Sequence, residues 1–105
     1  MIKVSVIYPR GEGTEFNIDY YCDSHMPMVQ KLLGSACTGI AAEEGIAGGA
    51  PGAPAPYHAM GHLYFNSVED FETSFGPKVG EIMADVPNYT NIEPTLVVSK
   101  VRISP

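Results

Sequence analysis

Ile2, Val4, Val6 and Tyr8 alternate with Lys3, Ser5 and Ile7 at the start of the chain. This period of two predicts a strand, closed by Pro9 and Gly11. The period then changes. Ile18, Cys22, His25, Val29, Leu32 and Leu33 recur at helical spacing behind Asn17, a good N-cap, and Asp19, an acid in the first turn. With Lys31 in the last turn and Gly34 as the C′ residue, a helix is predicted over roughly 18 to 33. Pro27 interrupts it, but at ~100° per residue it points away from the apolar stripe, so a kink there opens on the wet side. Thr38 to Ile46 follows as a weaker strand.

The second half repeats this grammar without repeating the sequence. Tyr57 to Phe65 reads as a strand bounded by Pro56 and Asn66. Ser67-Val68-Glu69-Asp70 has capping-box form, with Asp for the usual Glu. Phe71 and Phe75 begin a helix that Gly76-Pro77 breaks or kinks, after which Val79, Ile82 and Met83 resume the stripe. A turn at Pro87-Asn88-Tyr89-Thr90-Asn91 leads to a last strand, Pro94 to Ile103. The order β-α-β-β-α-β predicts an α+β, ferredoxin-like fold: a four-stranded antiparallel sheet with both helices on one face. Between the halves, residues 45–56 carry 7 of the 20 glycines and prolines. So long a connection is usually either functional or mobile.

In the last strand Thr95, Val97, Val101 and Ile103 point one way while Leu96 and Val98 point the other. A strand apolar on both sides calls for burial on both sides, and two helices cover only one. A second copy stacked sheet against sheet answers this; a monomer with a few exposed valines is the alternative. The 105 residues make a single domain, 1–105, small enough for association to help its stability.

Twelve acidic against six basic residues give a net charge of -6, which repels phosphate backbones and anionic bilayers and argues against nucleic-acid binding. No apolar run reaches the ~18 residues of a membrane span. Met1 leads directly into a strand, so neither a signal nor a transit segment is expected. Cys22 and Cys37 match no metal spacing, and a reduced, cytoplasmic setting follows.

His25 is the most informative side chain. It falls within the apolar stripe of its helix, with Tyr21 one turn before and Met28 one turn after. Burial lowers the pKa of an imidazole and a nearby carboxylate raises it, so either way it can exchange protons near neutral pH. The alternative is a core histidine satisfied by a carbonyl or by Tyr21. His58, Met60, His62 and Tyr64 share one strand face, and either histidine could meet His25 if that face turns to the helices. The two lie ~13 Å apart, too far to share a metal. Tyr20, Tyr21, Tyr57, Tyr64, Tyr89, Phe65, Phe71 and Phe75 suffice to line a cavity, although such residues are more often plain core. Asp85 and Asn88 could orient a histidine or form a turn.

Tyr20-Tyr21-Cys22-Asp23-Ser24-His25-Met26-Pro27-Met28-Val29 resembles the Tyr-x-x-x-His-x-Pro-Leu/Met segment of the EthD family, named for a protein of ethyl tert-butyl ether degradation. Tyr57-His58-Ala59-Met60, Leu63-Tyr64-Phe65 and the stretch Asp85 to Pro94 are similar to that family's second half. The likeness runs from about Lys3 to Val101 of this sequence. It implies a homodimeric α+β barrel of two ferredoxin-like sheets packed face to face. It also implies a ligand between helices and sheet, with Tyr21 and His25 as pocket residues and His62 and Tyr89 beside them. Its superfamily includes cofactor-independent cyclases and dehydratases, muconolactone-type isomerases, small monooxygenases and haem-degrading enzymes.

The reading expected from all this is a cofactor-free lyase, isomerase or cyclase for a small, mostly apolar oxygenated molecule. His25 would move a proton and Tyr21 would donate a hydrogen bond, with His62, Tyr89, Met28 and Tyr64 as substrate contacts. No metal or cofactor is called for. A noncatalytic small-molecule-binding accessory protein, and a cofactor-free or haem-linked monooxygenase, are the alternatives.

Overall fold

Strand β1 (Ile2–Pro9) lies inside the sheet, because alternating Val4, Tyr8 and Ser5 suit a strand covered on one side. The computed structural model describes all residues, 1–105. It orders four strands β2-β3-β1-β4, with β2 at Cys37–Glu44, β3 at Tyr57–Phe65 and β4 at Thr95–Lys100. Every pairing is antiparallel. The α+β, ferredoxin-like arrangement is thus the one the pattern predicted.

The first helical rod comprises α1 (Ile18–Tyr20), a π-helical turn (Tyr21–His25), α2 (Met26–Leu33) and a short 3-10 turn. Asn17 caps it, its side chain accepting from the Tyr20 N–H. The rod turns at Gly34, whose φ of 65° suits a residue without Cβ. The second rod runs through α3 (Val68–Phe75), a 3-10 turn at Gly76–Lys78 and α4 (Val79–Asp85), ending in a further 3-10 turn. Ser67 Oγ accepts from the Asp70 N–H at 3.0 Å. Ser67→Ala should therefore cost about 1 kcal/mol, seen as a drop in melting temperature of a few degrees by calorimetry, with no change in fold.

The core lies between sheet and helices: Val4, Tyr8, Ala59, Leu63 and Phe65 meet Tyr21, Met26, Val29, Leu33, Ile82 and Val86. Sheet plus one helical layer make a slab only 19 Å thick, and the other sheet face is bare. On β4, Leu96 and Val98 share the helix-side register of Val6 and Val4, while Val97 shares that of Ser5 on the bare face. All three are more than two-fifths exposed.

Three expectations need correction. The last strand stops at Lys100 rather than Ile103: Lys100 pairs with Ile2 at the start of β1, and beyond it a single hydrogen bond, Val101 N–H to Met1 O, is left. Cys22 is exposed rather than part of the apolar stripe. The π turn rotates the rod there, and Met26 takes an inward position instead. Residues 45–56 are not a loose connection: Gly45 N–H to His58 O and Gly48 N–H to Ala53 O continue the β2–β3 hairpin, and Arg10 N–H to Pro56 O ties the segment to the end of β1.

Candidate functional site

A π turn is uncommon, and here it has a local cause. Pro27 has no N–H to offer the preceding turn, and the chain closes instead through the Met26 N–H to Tyr21 O. This wider turn brings Tyr21 and His25 together. Their rings stack at 5.6 Å with 17° between planes, and both side chains are almost fully buried toward the sheet.

His25 is held from the other rod. Its Nδ1 lies 2.8 Å from Asp85 Oδ2. Asp85 Oδ1 in turn accepts from Tyr20 Oη at 2.7 Å and from Asn88 Nδ2 at 2.9 Å. Burial alone would raise the Asp85 carboxyl, but the hydrogen bonds from Tyr20, Asn88 and His25 outweigh it and hold the group below its ordinary value. Burial lowers His25, and the bond to Asp85, which works the other way, does not reverse that. The consistent state at neutral pH is a neutral imidazole donating Nδ1–H to a carboxylate. Its Nε2 then keeps a lone pair, with no protein partner.

That ring edge belongs to an apolar cleft between sheet and helices, walled by Val6, Leu63, Met26, Ile82, Val86 and Leu96, with Tyr8 and Tyr21 as its phenols. Its volume is about 30 Å3, a slim space. Met83 and Leu96 are its walls most open to solvent, at 41% and 43% exposure.

Behind the imidazole lies a packed aromatic group. Tyr89 sits 4.6 Å from the His25 ring, and its hydroxyl shares a 2.6 Å hydrogen bond with that of Tyr8. Burial, reinforced by the neighbouring Tyr8, pushes the phenols of Tyr21 and Tyr89 far up. They are permanent O–H groups, able to donate hydrogen bonds but unable to act as bases. The Tyr21 hydroxyl lies against Gly61, where a Cβ would overlap it.

The structure thus groups His25, Tyr21 and Tyr89. Met28 is half-buried beside the core and does not line the cleft; Met26 does. His62 and Tyr64 lie on the bare face of the sheet, away from His25, because Gly61, Leu63 and Phe65 are the β3 residues that face the helices. His58 does not reach His25 either: it stacks on Phe16 and bonds Thr14 Oγ1 at 2.9 Å. Tyr8 and Met26 escaped notice, the first because its partner is 81 residues away, the second because the π turn breaks the wheel.

The model of the EthD domain matches residues 10–93 of this chain. A crystal structure of an EthD-like protein from Ralstonia eutropha JMP134 is 45% identical, with 99% of this chain and 94% of that one covered and a TM-score of 0.94. An ethyl tert-butyl ether degradation (EthD) family protein from Bacillus halodurans C-125 shares 16% identity over 96% of this chain and 98% of the other, with a TM-score of 0.66. HapK from Hahella chejuensis shares the fold at 10% identity over 100% and 96% of the two chains, with a TM-score of 0.59. No curated protein matches significantly. No helix is long and apolar enough to cross a membrane.

Proposed function

The chain belongs to the EthD family, and from that premise we propose that it is a cofactor-free acid–base catalyst, a lyase, isomerase or cyclase, acting on a small neutral oxygenated molecule. The observation that carries this reading is the His25–Asp85 pair at 2.8 Å, with the second imidazole nitrogen free on an apolar cleft. His25 Nε2 takes a proton from a carbon next to a carbonyl. Asp85 steadies the imidazolium that forms, through Nδ1–H. The Tyr21 hydroxyl donates to the oxygen that gains negative charge. The same imidazole returns the proton elsewhere on the molecule, or protonates a departing group. No cation lines the cleft and Asp85 stands behind the base, so a neutral substrate fits better than a carboxylate or phosphate.

β-Tetralone, an apolar ketone with acidic C–H groups, tests this directly. Its exchange of C1 hydrogens for deuterium in D2O, followed by proton NMR, should run well above the buffer rate when the protein is added. Exchange no faster than in buffer overturns the reading.

The same proposal includes a second copy of the chain over the bare sheet face, supported by Val97 standing 42% exposed beside Ser5 and Ile7. Sedimentation equilibrium should give twice 11.3 kDa. Val97→Asp should lower that to one chain, since a carboxylate facing apolar surface loses its water without a partner. A single-chain mass for the unaltered protein removes the second copy.

A further inference from the structure

The bare sheet face carries little charge, and the charge it has is placed tellingly. Histidines aside, Lys3 on β1 and Glu43 on β2 are the charged strand residues in the bare-side register. Lys100 and Arg102 reach only the rim, where β4 ends, and both are exposed. Lys3 has no ion-pair partner in its own chain. Glu43 is held by a line of hydrogen bonds across three strands. Ser5 Oγ lies 2.9 Å from His62 Nδ1, and His62 Nε2 lies 2.6 Å from Glu43 Oε1. A carboxylate only accepts, so Nε2 carries the proton and Nδ1 accepts from the Ser5 hydroxyl. The carboxylate is thereby fixed with its other oxygen left for a further donor.

Lys3 of the same chain is not that donor. Strand β3 lies between the two residues, and their registers, Lys3 with Tyr64 and Glu43 with Met60, are four residues apart. At ~4.8 Å per strand and ~3.4 Å per residue, their Cα atoms stand roughly 17 Å from each other. A second copy over this face takes both groups out of water, and a buried charge without a partner is costly. Two-fold symmetry can supply the partner, since each residue of one copy then meets the same counterpart on the other, twice.

The axis that sets Lys3 over the partner's Glu43 must pass above the point midway between them. That point is His62, two residues from Met60 and two from Tyr64 on the intervening strand. The rest of the face fits the same axis. With the same spacings, Val97 falls within ~3 Å of the partner's Ile7, and Met60 falls between the partner's Ser5 and Val97. Apolar groups thus cover apolar groups, and the strands of the two sheets cross at about 70°, toward the orthogonal class of sheet packing.

We propose that two copies pack with Lys3 of each against Glu43 of the other, about a two-fold axis that passes over His62. The pairing rests on the second copy of the proposed function and fixes its orientation. It also gives His62, which does not reach His25, a place in the assembly: with Ser5 it presents a pre-set carboxylate to the lysine of the other copy.

Charge reversal tests this. Lys3→Glu opposes two carboxylates at both contacts, and Glu43→Lys opposes two ammonium groups, so each variant alone should associate at least about 10-fold more weakly than the unaltered chain. Mixed in equal amounts they should pair with each other, because both contacts of the mixed dimer are then of opposite charge. Isotope labelling of one variant lets native mass spectrometry tell the mixed dimer from the others. If the mixture stays as single chains while the unaltered protein is dimeric, the pairing is overturned and the second copy stands. A single-chain mass for the unaltered protein removes both. Should Glu43→Lys fail to fold, a zero-length carbodiimide on the unaltered protein decides: a Lys3–Glu43 amide in a two-chain species supports the pairing, and cross-links that never join these residues refute it.

Discussion

His25→Ala is expected to abolish the deuterium exchange of β-tetralone, a loss of about 10²- to 10⁴-fold, while binding of the ketone weakens little. The contrast follows from the cleft. Its walls are almost all apolar and remain in place in the variant, so the affinity they provide is retained. What disappears is the lone pair at Nε2, used only as the proton moves. Asp85→Asn should lose about 10²-fold or more with His25 still present. The amide can offer its N–H to Nδ1 and so favour the tautomer with the proton on Nε2, which faces the cleft as a donor instead of a base. A merely structural role for Asp85 predicts a lower melting temperature and an unchanged rate per folded molecule. Equal loss of binding and of rate in His25→Ala would mean that the imidazole is an anchor, and the chain a binding protein.

The pH dependence has a definite sign. His25 titrates below its ordinary 6.5 because burial disfavours the cation. The exchange rate should be level at neutral pH and fall on acidification only once that lowered pKa is reached. Stability follows the same direction. An unfolded chain binds the proton at 6.5 and the folded one only lower, so His25 contributes stability above pH 6.5 that is lost as pH falls through its folded value. Asp85, held below 3.8, contributes stability above 3.8 that is lost at still lower pH. Acid melts should therefore show two windows of loss, and Asp85→Asn should remove the lower one.

The period of two in Ile2 to Tyr8 and the caps at Asn17 and Ser67 are local chemistry, and they were legible in the sequence together with the strand–helix order. The inward turn of His25 was legible too, since its helical spacing to Val29 and Leu33 holds through α2. Legibility fails where one backbone irregularity changes the phase. The π turn exchanged Cys22 for Met26 on the buried side, and no side-chain pattern announces a single extra residue per turn. It fails again at long range. Alternation in β3 separates Gly61, Leu63 and Phe65 from Met60, His62 and Tyr64, but says nothing about which set faces the helices. Gly61 held that information: the missing Cβ is the space that Tyr21 fills, a reason visible only once the two are opposed.

That opposition gives the second large expected effect. Gly61→Ala places a methyl group on the Tyr21 hydroxyl and within 3.4 Å of Met26 Sδ. The tyrosine has nowhere to retreat, since Tyr8, Phe16 and Tyr89 surround its ring at 5.4, 5.1 and 5.1 Å. Overpacking of this kind costs about 1–3 kcal/mol, enough to lower the melting temperature by roughly 5–20 °C in a domain of this size. The exchange rate should fall with it, because the hydroxyl proposed to donate to the substrate oxygen is the atom displaced. Tyr21→Phe removes that hydroxyl, and the two substitutions should therefore not add: Gly61→Ala in a Tyr21→Phe chain should cost well under half of what it costs alone. Additive losses across the four proteins would show that the methyl group strains the sheet itself rather than Tyr21, and the phenol would then lose its assigned position over residue 61.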